Sequence, residues 1–216
     1  MILVTKNTIP SAPSNGDVVS RIAARTLAKR GPDYESEVRR LLDAALEVIA
    51  KHGTTARARV ADIVAAAGLS NDAFYRHFPS KEALVAALIE DGTQRLASYV
   101  AHQMAKESTA EGQVRRWVEG VLSQTKEDTA AATLAVVWNG TSFDTGTGAG
   151  GNNAAAPLAV LLHEPFAGLG SPNPELRASL VAHAVMGKMA DYLWARAKPS
   201  RDELEQITKF CIGAAA

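Results

Sequence analysis

The sequence predicts an all-α protein in two parts: a three-helix N-terminal domain built on a helix-turn-helix, and a larger helical domain behind it. Three observations predict this. Apolar residues recur at 3–4 spacing from Val38 to Ile49. Two short helical segments flank Gly68, and another helix opens directly after Pro79 and Ser80. Residues 173–197 are apolar or small on two faces at the helical period. At 216 residues the chain has room for one large domain or two small ones.

Residues 1–31 read as a flexible basic arm, with Pro10, Ser11, Pro13, Ser14 and Gly16 near its start. Arg21, Arg25 and Lys29 recur every four residues and could form one stripe of a short helix. Two readings are open for it: an arm on nucleic-acid phosphates, or a solvated tail. The first domain, residues 32–80, opens with a helix from about Pro32 to His52, closed by Gly53. Its buried face is predicted as Val38, Leu41, Leu42, Ala45, Leu46 and Ile49. Val60, Ile63 and Val64 give the next helix a narrow apolar face, and Gly68 ends it. Ser70 is placed to cap a helix from Asn71 to about Phe78. Pro79 and Ser80 then break that helix and cap the one opening at Lys81.

The second domain is expected over residues 81–216, with 81–106 as a helix connecting it to the first. Further helices are expected at about 110–126, 128–138, 154–168, 173–197 and 201–213. The segment from Asn139 to Asn153, NGTSFDTGTGAGGNN, reads as a mobile loop. In the 173–197 helix one face takes Leu176, Leu180, Ala184, Gly187 and Trp194, and another takes Val181, Val185, Met189 and Leu193. Two apolar faces call for two packing partners.

Two helices across a glycine-containing turn can present the second helix to the major groove. Residues 41–53 (LLDAALEVIAKHG), 61–70 (ADIVAAAGLS) and 74–84 (FYRHFPSKEAL) make the match specific. Over these stretches the chain closely resembles the tetracycline-repressor (TetR) family of bacterial regulators. The resemblance implies a homodimer that binds a palindromic double-stranded DNA operator, acts as a repressor and is released by a small-molecule effector. It also implies dimerisation through the last two helices.

In the second helix of the motif, the base readers are expected near the N-terminus, at Asn71, Asp72 and Ala73, with Ser70 as cap. Asn71 can bond an adenine edge and Ala73 can touch a thymine methyl. Asp72 is unusual opposite a polyanion unless it meets a cytosine amino group or pairs with Arg76. By resemblance, Tyr75 and His77 reach phosphate or groove edges and Lys81 holds a phosphate. A histidine capping the helix end is the structural alternative for His77. Where family members commonly carry Thr or Ser before the first short helix, this chain has Ala58 and Arg59. Arg59, and with it Arg57, is expected to supply a charged phosphate contact instead.

Charge distribution qualifies that picture. The whole chain is neutral, with 23 Lys/Arg against 23 Asp/Glu. Residues 34–92 carry seven Lys/Arg against nine Asp/Glu, so DNA affinity must come from a few placed side chains. A ligand-binding or scaffold protein of the same fold, with weak or lost DNA binding, is therefore the second function class.

The family's effector cavity is expected among Trp117, Trp138, Phe143, His163, Phe166, Met186 and Tyr192, with core packing as the alternative for each. The dimer interface is expected at Leu180, Ala184, Gly187, Trp194, Leu204, Ile207 and Cys211. Cys211 is the single cysteine, which fits a reducing cytoplasm and reads foremost as a small buried hydrophobe. No secretory leader is expected from MILVTKNTIPSA, and no apolar run approaches the ~18–20 residues that span a bilayer.

Enzymatic chemistry has no positive signal. Gly146–Gly151 spells G-x-G-x-x-G, but the apolar run at 134–138 ends well before it and no strand-helix context surrounds it. The histidines at 52, 77, 102, 163 and 183 lack metal-ligand spacing, and no serine sits in G-x-S-x-G. No cofactor and no metal are expected.

Overall fold

The computed structural model describes residues 33–140 and 154–215. The basic arm and most of the Gly/Thr/Asn-rich segment, Phe143 included, lie outside the described residues. Within them every regular element is helical. The head comprises α1 (Asp33–His52), α2 (Val60–Ala67) and α3 (Asn71–His77). The connecting helix α4 (Lys81–Met104) leads to α5 (Ala110–Leu122), a 3-10 turn (Ser123–Thr125) and α6 (Glu127–Gly140). Then come α7 (Ala155–Val160), α8 (His163–Gly168), α9 (Pro174–Trp194) and α10 (Arg201–Gly213).

Local chemistry sets these boundaries. Gly68 takes φ +62°, and its neighbour Leu69 donates back to Val64 O at 2.9 Å, which closes α2. Ser70 accepts from Ala73 N at 3.1 Å and Ser80 from Ala83 N at 3.2 Å, so α3 and α4 each start on a hydroxyl cap. Ser200 and Glu203 form a reciprocal capping box on α10.

Two expectations on the elements are corrected. Residues 154–168 form two short helices instead of one. Pro165 has no N–H for Leu161 O and its ring crowds that carbonyl, which accounts for the break. Asn139 belongs to α6 and is buried, so the helix continues where a loop was expected.

Two apolar cores organise the chain. The head core joins Val38, Leu41, Ile49, Ile63, Phe74 and Phe78 to Leu84 and Leu88 of α4. Leu46 was expected inside but is exposed, and Val48 and Ala44 fill the face instead. The body core gathers Val100, Trp117, Leu158, Phe166, Val185 and Leu193 among others. Gly120 permits close packing of α5 on α4, since a Cβ there would stand 2.8 Å from Val100 Cγ2.

Helix α6 belongs to both cores. Ala135 and Val136 pack into the head, while Leu134 and Ala130 pack into the body. Its end is pinned to the head: Asn139 Oδ1 accepts from Ala58 N at 3.2 Å, and Asn139 Nδ2 donates to Ala135 O at 2.9 Å. Any shift of α6 is therefore felt at the start of α2.

Candidate DNA interface

The outward face of α3 is made by Asn71, Asp72, Tyr75 and Arg76, all exposed, at the i, i+1, i+4, i+5 positions that share one side of a helix. Tyr75 is 57% exposed. The opposite side carries Ala73 and Phe74 into the protein. Ala73 is 4% exposed and offers no methyl to a groove, which corrects its assignment as a base reader. A seven-residue helix has little angular latitude, and seating Phe74 in the core carries Ala73 inward with it.

His77 is corrected as well. Its side chain is 0% exposed, so it does not reach phosphate. Its Nε2 lies 2.7 Å from Glu37 Oε2, and its ring meets Tyr34 edge-on at 5.2 Å. His77 ties α3 to α1. The same Glu37 accepts from Arg76 Nη2 at 3.3 Å, and the Arg76 guanidinium lies 5.5 Å from the Tyr34 ring centre. Arg76 therefore pairs with Glu37 and not with Asp72, and no ion pair holds Asp72 among the described residues.

Before α2, the two arginines part company. Arg59 is 80% exposed and forks onto Asp62, donating from Nε at 3.0 Å and from Nη2 at 3.2 Å. That hydrogen bond leads the causes holding the Asp62 carboxyl below its usual range. No side chain caps α2 at Arg59. Arg57 turns towards the body: its guanidinium lies 5.0 Å from the Trp138 ring centre, and Nη1 donates to Asn139 O at 3.3 Å. Its position is at the head–body seam and not with the α3 face. Lys81, half-buried, opens α4 beyond the Ser80 cap.

Two positioning residues escaped the sequence reading. Glu37 fixes both Arg76 and His77. Arg40 donates from Nη2 to Ala67 O at 2.6 Å and to Gly68 O at 3.2 Å, locking the turn between α2 and α3 to α1. Each partner is tens of residues away, beyond any local pattern. The EVRR run around them shows only charge at helical positions.

The residues expected in the effector cavity are dispersed. Trp117 and Phe166 are fully buried core, with Trp117 Nε1 donating to Leu158 O at 2.9 Å. Trp138 lies beneath Arg57, and Met186 packs on the body core. His163 opens α8 and is half-buried. Tyr192 lines a cavity of about 470 Å³ between head and body, and its hydroxyl donates to Glu203 at 3.0 Å. Burial and that carboxylate hold the Tyr192 phenol above its usual pKa.

On α9, Leu176, Leu180, Ala184, Gly187 and Trp194 are all exposed on one face, with Leu180 62% exposed. The other predicted face, Val181, Val185, Met189 and Leu193, is buried in the body. On α10 the expectation is corrected for Cys211, while Leu204 and Ile207 stay half-buried. Leu204 and Ile207 pack on the body core and Cys211 is fully buried, because this stripe seats α10 on α5. Burial pushes the Cys211 thiol up to about 12. Phe210 is the exposed large apolar residue of α10.

Among the described residues no group of three or more His, Cys, Asp or Glu could hold a metal ion, and no helix is long and apolar enough to cross a membrane.

A helical head with an exposed second motif helix, joined to a helical body, is the architecture of a helix-turn-helix transcriptional regulator. Residues 41–88 match the sequence model for "Bacterial regulatory proteins, tetR family". Over those residues the chain is similar to that family. No curated protein matches it in sequence. Its fold is similar to that of the fatty acid degradation regulator FadR from Bacillus halodurans, at 20% identity and TM-score 0.59, over 87% of this chain and 96% of that one. Escherichia coli NemR in its reduced form is similar at 16% identity and TM-score 0.58, over 82% and 95%. FadR from Bacillus subtilis in complex with stearoyl-CoA is similar at 17% identity and TM-score 0.56, over 82% and 96%.

Proposed function

We propose that the protein is a sequence-specific DNA-binding transcriptional regulator, a repressor released from its operator by a small-molecule effector. The observation that carries this reading is the outward face of α3. Asn71 and Tyr75 stand one turn apart, exposed, on a helix whose other side is anchored in the head core. Asn71 has the geometry to bond an adenine edge in the major groove. Tyr75, Arg59 and Lys81 supply backbone contacts in this reading, and Arg76 does so if DNA draws it from Glu37.

The exposed apolar face of α9, together with Phe210, supports a homodimer, since a monomer would leave that stripe in water. A two-fold dimer reads a palindromic operator with half-sites about 34–36 Å apart. The body, with α6 shared between both cores, supports coupling of an effector to the spacing of the heads. The same fold holds stearoyl-CoA in the Bacillus subtilis regulator.

The test is fluorescence anisotropy with DNA fragments from around the protein's own gene, using wild type and an Asn71→Ala/Tyr75→Ala double variant. Specific binding by wild type that collapses to the non-specific level in the variant supports the reading. Equal binding by both overturns the assignment of α3. Sedimentation of Leu180→Glu tests the dimer, which should dissociate.

A second reading has its own support. Asp72 faces outward, while Arg59 and Arg76 are each paired to carboxylates. A scaffold or ligand-binding protein that has given up DNA would look this way, and wild type that binds no fragment above the non-specific level would favour it.

A further inference from the structure

The cavity between head and body has a chemical character of its own. Its head wall is Gly53 and Thr54, from the turn after α1. Its body wall is Ala130, Ala131 and Leu134 of α6 with Tyr192 and Leu193 of α9, an apolar floor. Arg196, Lys198 and Glu127 also line it. Lys198 Nζ lies 3.6 Å from Glu127 Oε1, so these two charges answer each other. Arg196 has no carboxylate partner among the described residues; its Nη2 meets only the Thr54 hydroxyl, at 3.5 Å. Among its described residues the lining therefore carries one positive charge without a carboxylate partner.

Arg196 is also held there at a backbone cost. It closes α9 with φ +50°, the one non-glycine residue with positive φ among those described. Its N–H bonds to Leu193 O at 3.1 Å and that of Ala197 to Tyr192 O at 2.9 Å, the helix-ending turn in which glycine is the usual occupant. A side chain in that conformation is strained where glycine is not. Here the substituent on the strained residue is a guanidinium pointing at the turn of the head.

We propose that this cavity binds a small organic monocarboxylate, its carboxylate taken by Arg196 with Thr54 beside it and its apolar part lying on Ala130, Ala131, Leu134 and Leu193. A single planar fork with one neighbouring hydroxyl matches a carboxylate, which accepts two parallel N–H bonds. The net charge of the lining matches a monoanion. The volume, about 470 Å³, lies in the range of small-molecule sites. The proposal concerns binding alone and stands independently of whether the head binds DNA.

Titration calorimetry on the full chain without DNA tests it, with butyrate, hexanoate, octanoate, benzoate and salicylate as probes. The amide of each acid serves as the uncharged control. Wild type should bind at least one of these acids about tenfold more tightly than its amide, the weight of a charge-assisted hydrogen bond. Arg196→Gly should lose that preference while melting at or above the wild-type temperature, because glycine suits the positive φ. Ala131→Trp, at an exposed helix position on the cavity wall, should weaken the same acid through steric filling. No acid binding at millimolar concentration, equal binding of acid and amide, or undiminished binding by a folded Arg196→Gly or Ala131→Trp variant would each overturn the proposal.

Discussion

The pair formed by Arg59 and Asp62 makes a test of how the head would grip DNA. Arg59 stands at the N-terminal entry of α2, 80% exposed, with both ends of its fork on Asp62. On the proposed function it leaves Asp62, wholly or in part, for a phosphate. Each phosphate neutralised adds about 0.9 to the slope of log K against log salt. Arg59→Ala should therefore flatten that slope by about 0.9. Between 50 and 200 mM salt, wild type should then lose about 3.5-fold more affinity than the variant. The loss at low salt should be alike for cognate and unrelated DNA, because phosphate contacts carry no sequence information. Asp62→Asn should act oppositely, tightening binding to every sequence by releasing the guanidinium. Anisotropy titrations at four salt concentrations with cognate and scrambled duplexes give all of these numbers. An Arg59→Ala variant with an unchanged slope and a selective loss of cognate binding would refute the reasoning.

Three further outcomes follow from the geometry. Glu37→Ala leaves His77 buried without its partner and frees Arg76, and should destabilise the fold by about 1–3 kcal/mol in urea denaturation; an unchanged midpoint would show that the α1–α3 tie contributes nothing. Asn139→Ala removes the bond to Ala58 N at the seam and should increase amide exchange at the start of α2 more than in α9; uniform change would contradict a local pin. Glu203 and Glu205 are held below the usual Glu range, Glu203 foremost by the Ser200 backbone and Glu205 foremost by Arg115. A depressed folded pKa gives stability that is present above the unfolded value of about 4.3 and lost as pH falls through the lower folded value. The melting temperature should thus drop as pH falls below about 4.3, with a shallower drop in a Glu203→Gln/Glu205→Gln variant; parallel pH profiles would contradict this.

How much was legible in the sequence depends on the range of the interaction. Helix ends set by neighbours were legible, as at Gly68, Ser70 and Ser80, because a cap and its partner lie within three or four residues. The apolar stripe of α1 and the two faces of α9 were legible by period, with Leu46 the exception. The split at Pro165 was visible in principle but lay inside an apolar stretch that looked continuous. What failed was residue roles fixed at long range. His77 looks like a surface contact in FYRHFPSK, and only Glu37, forty residues upstream, draws it inside. Trp117 and Phe166 suit a pocket as well as a core in the sequence alone, because pocket linings and cores use the same side chains. Arg196 gave no local signal at all, since its meaning lies in a backbone angle and in Thr54, 142 residues away.

The central claim is that the exposed side of α3 reads DNA sequence. Footprinting of purified protein across fragmented DNA from its own genome, run in parallel for wild type and Asn71→Ala/Tyr75→Ala, tests it most directly. The account predicts a small set of palindromic sites with half-sites about one helical turn apart, all absent for the double variant. Sites that persist unchanged in the variant, or no enrichment by a folded wild type, would contradict it.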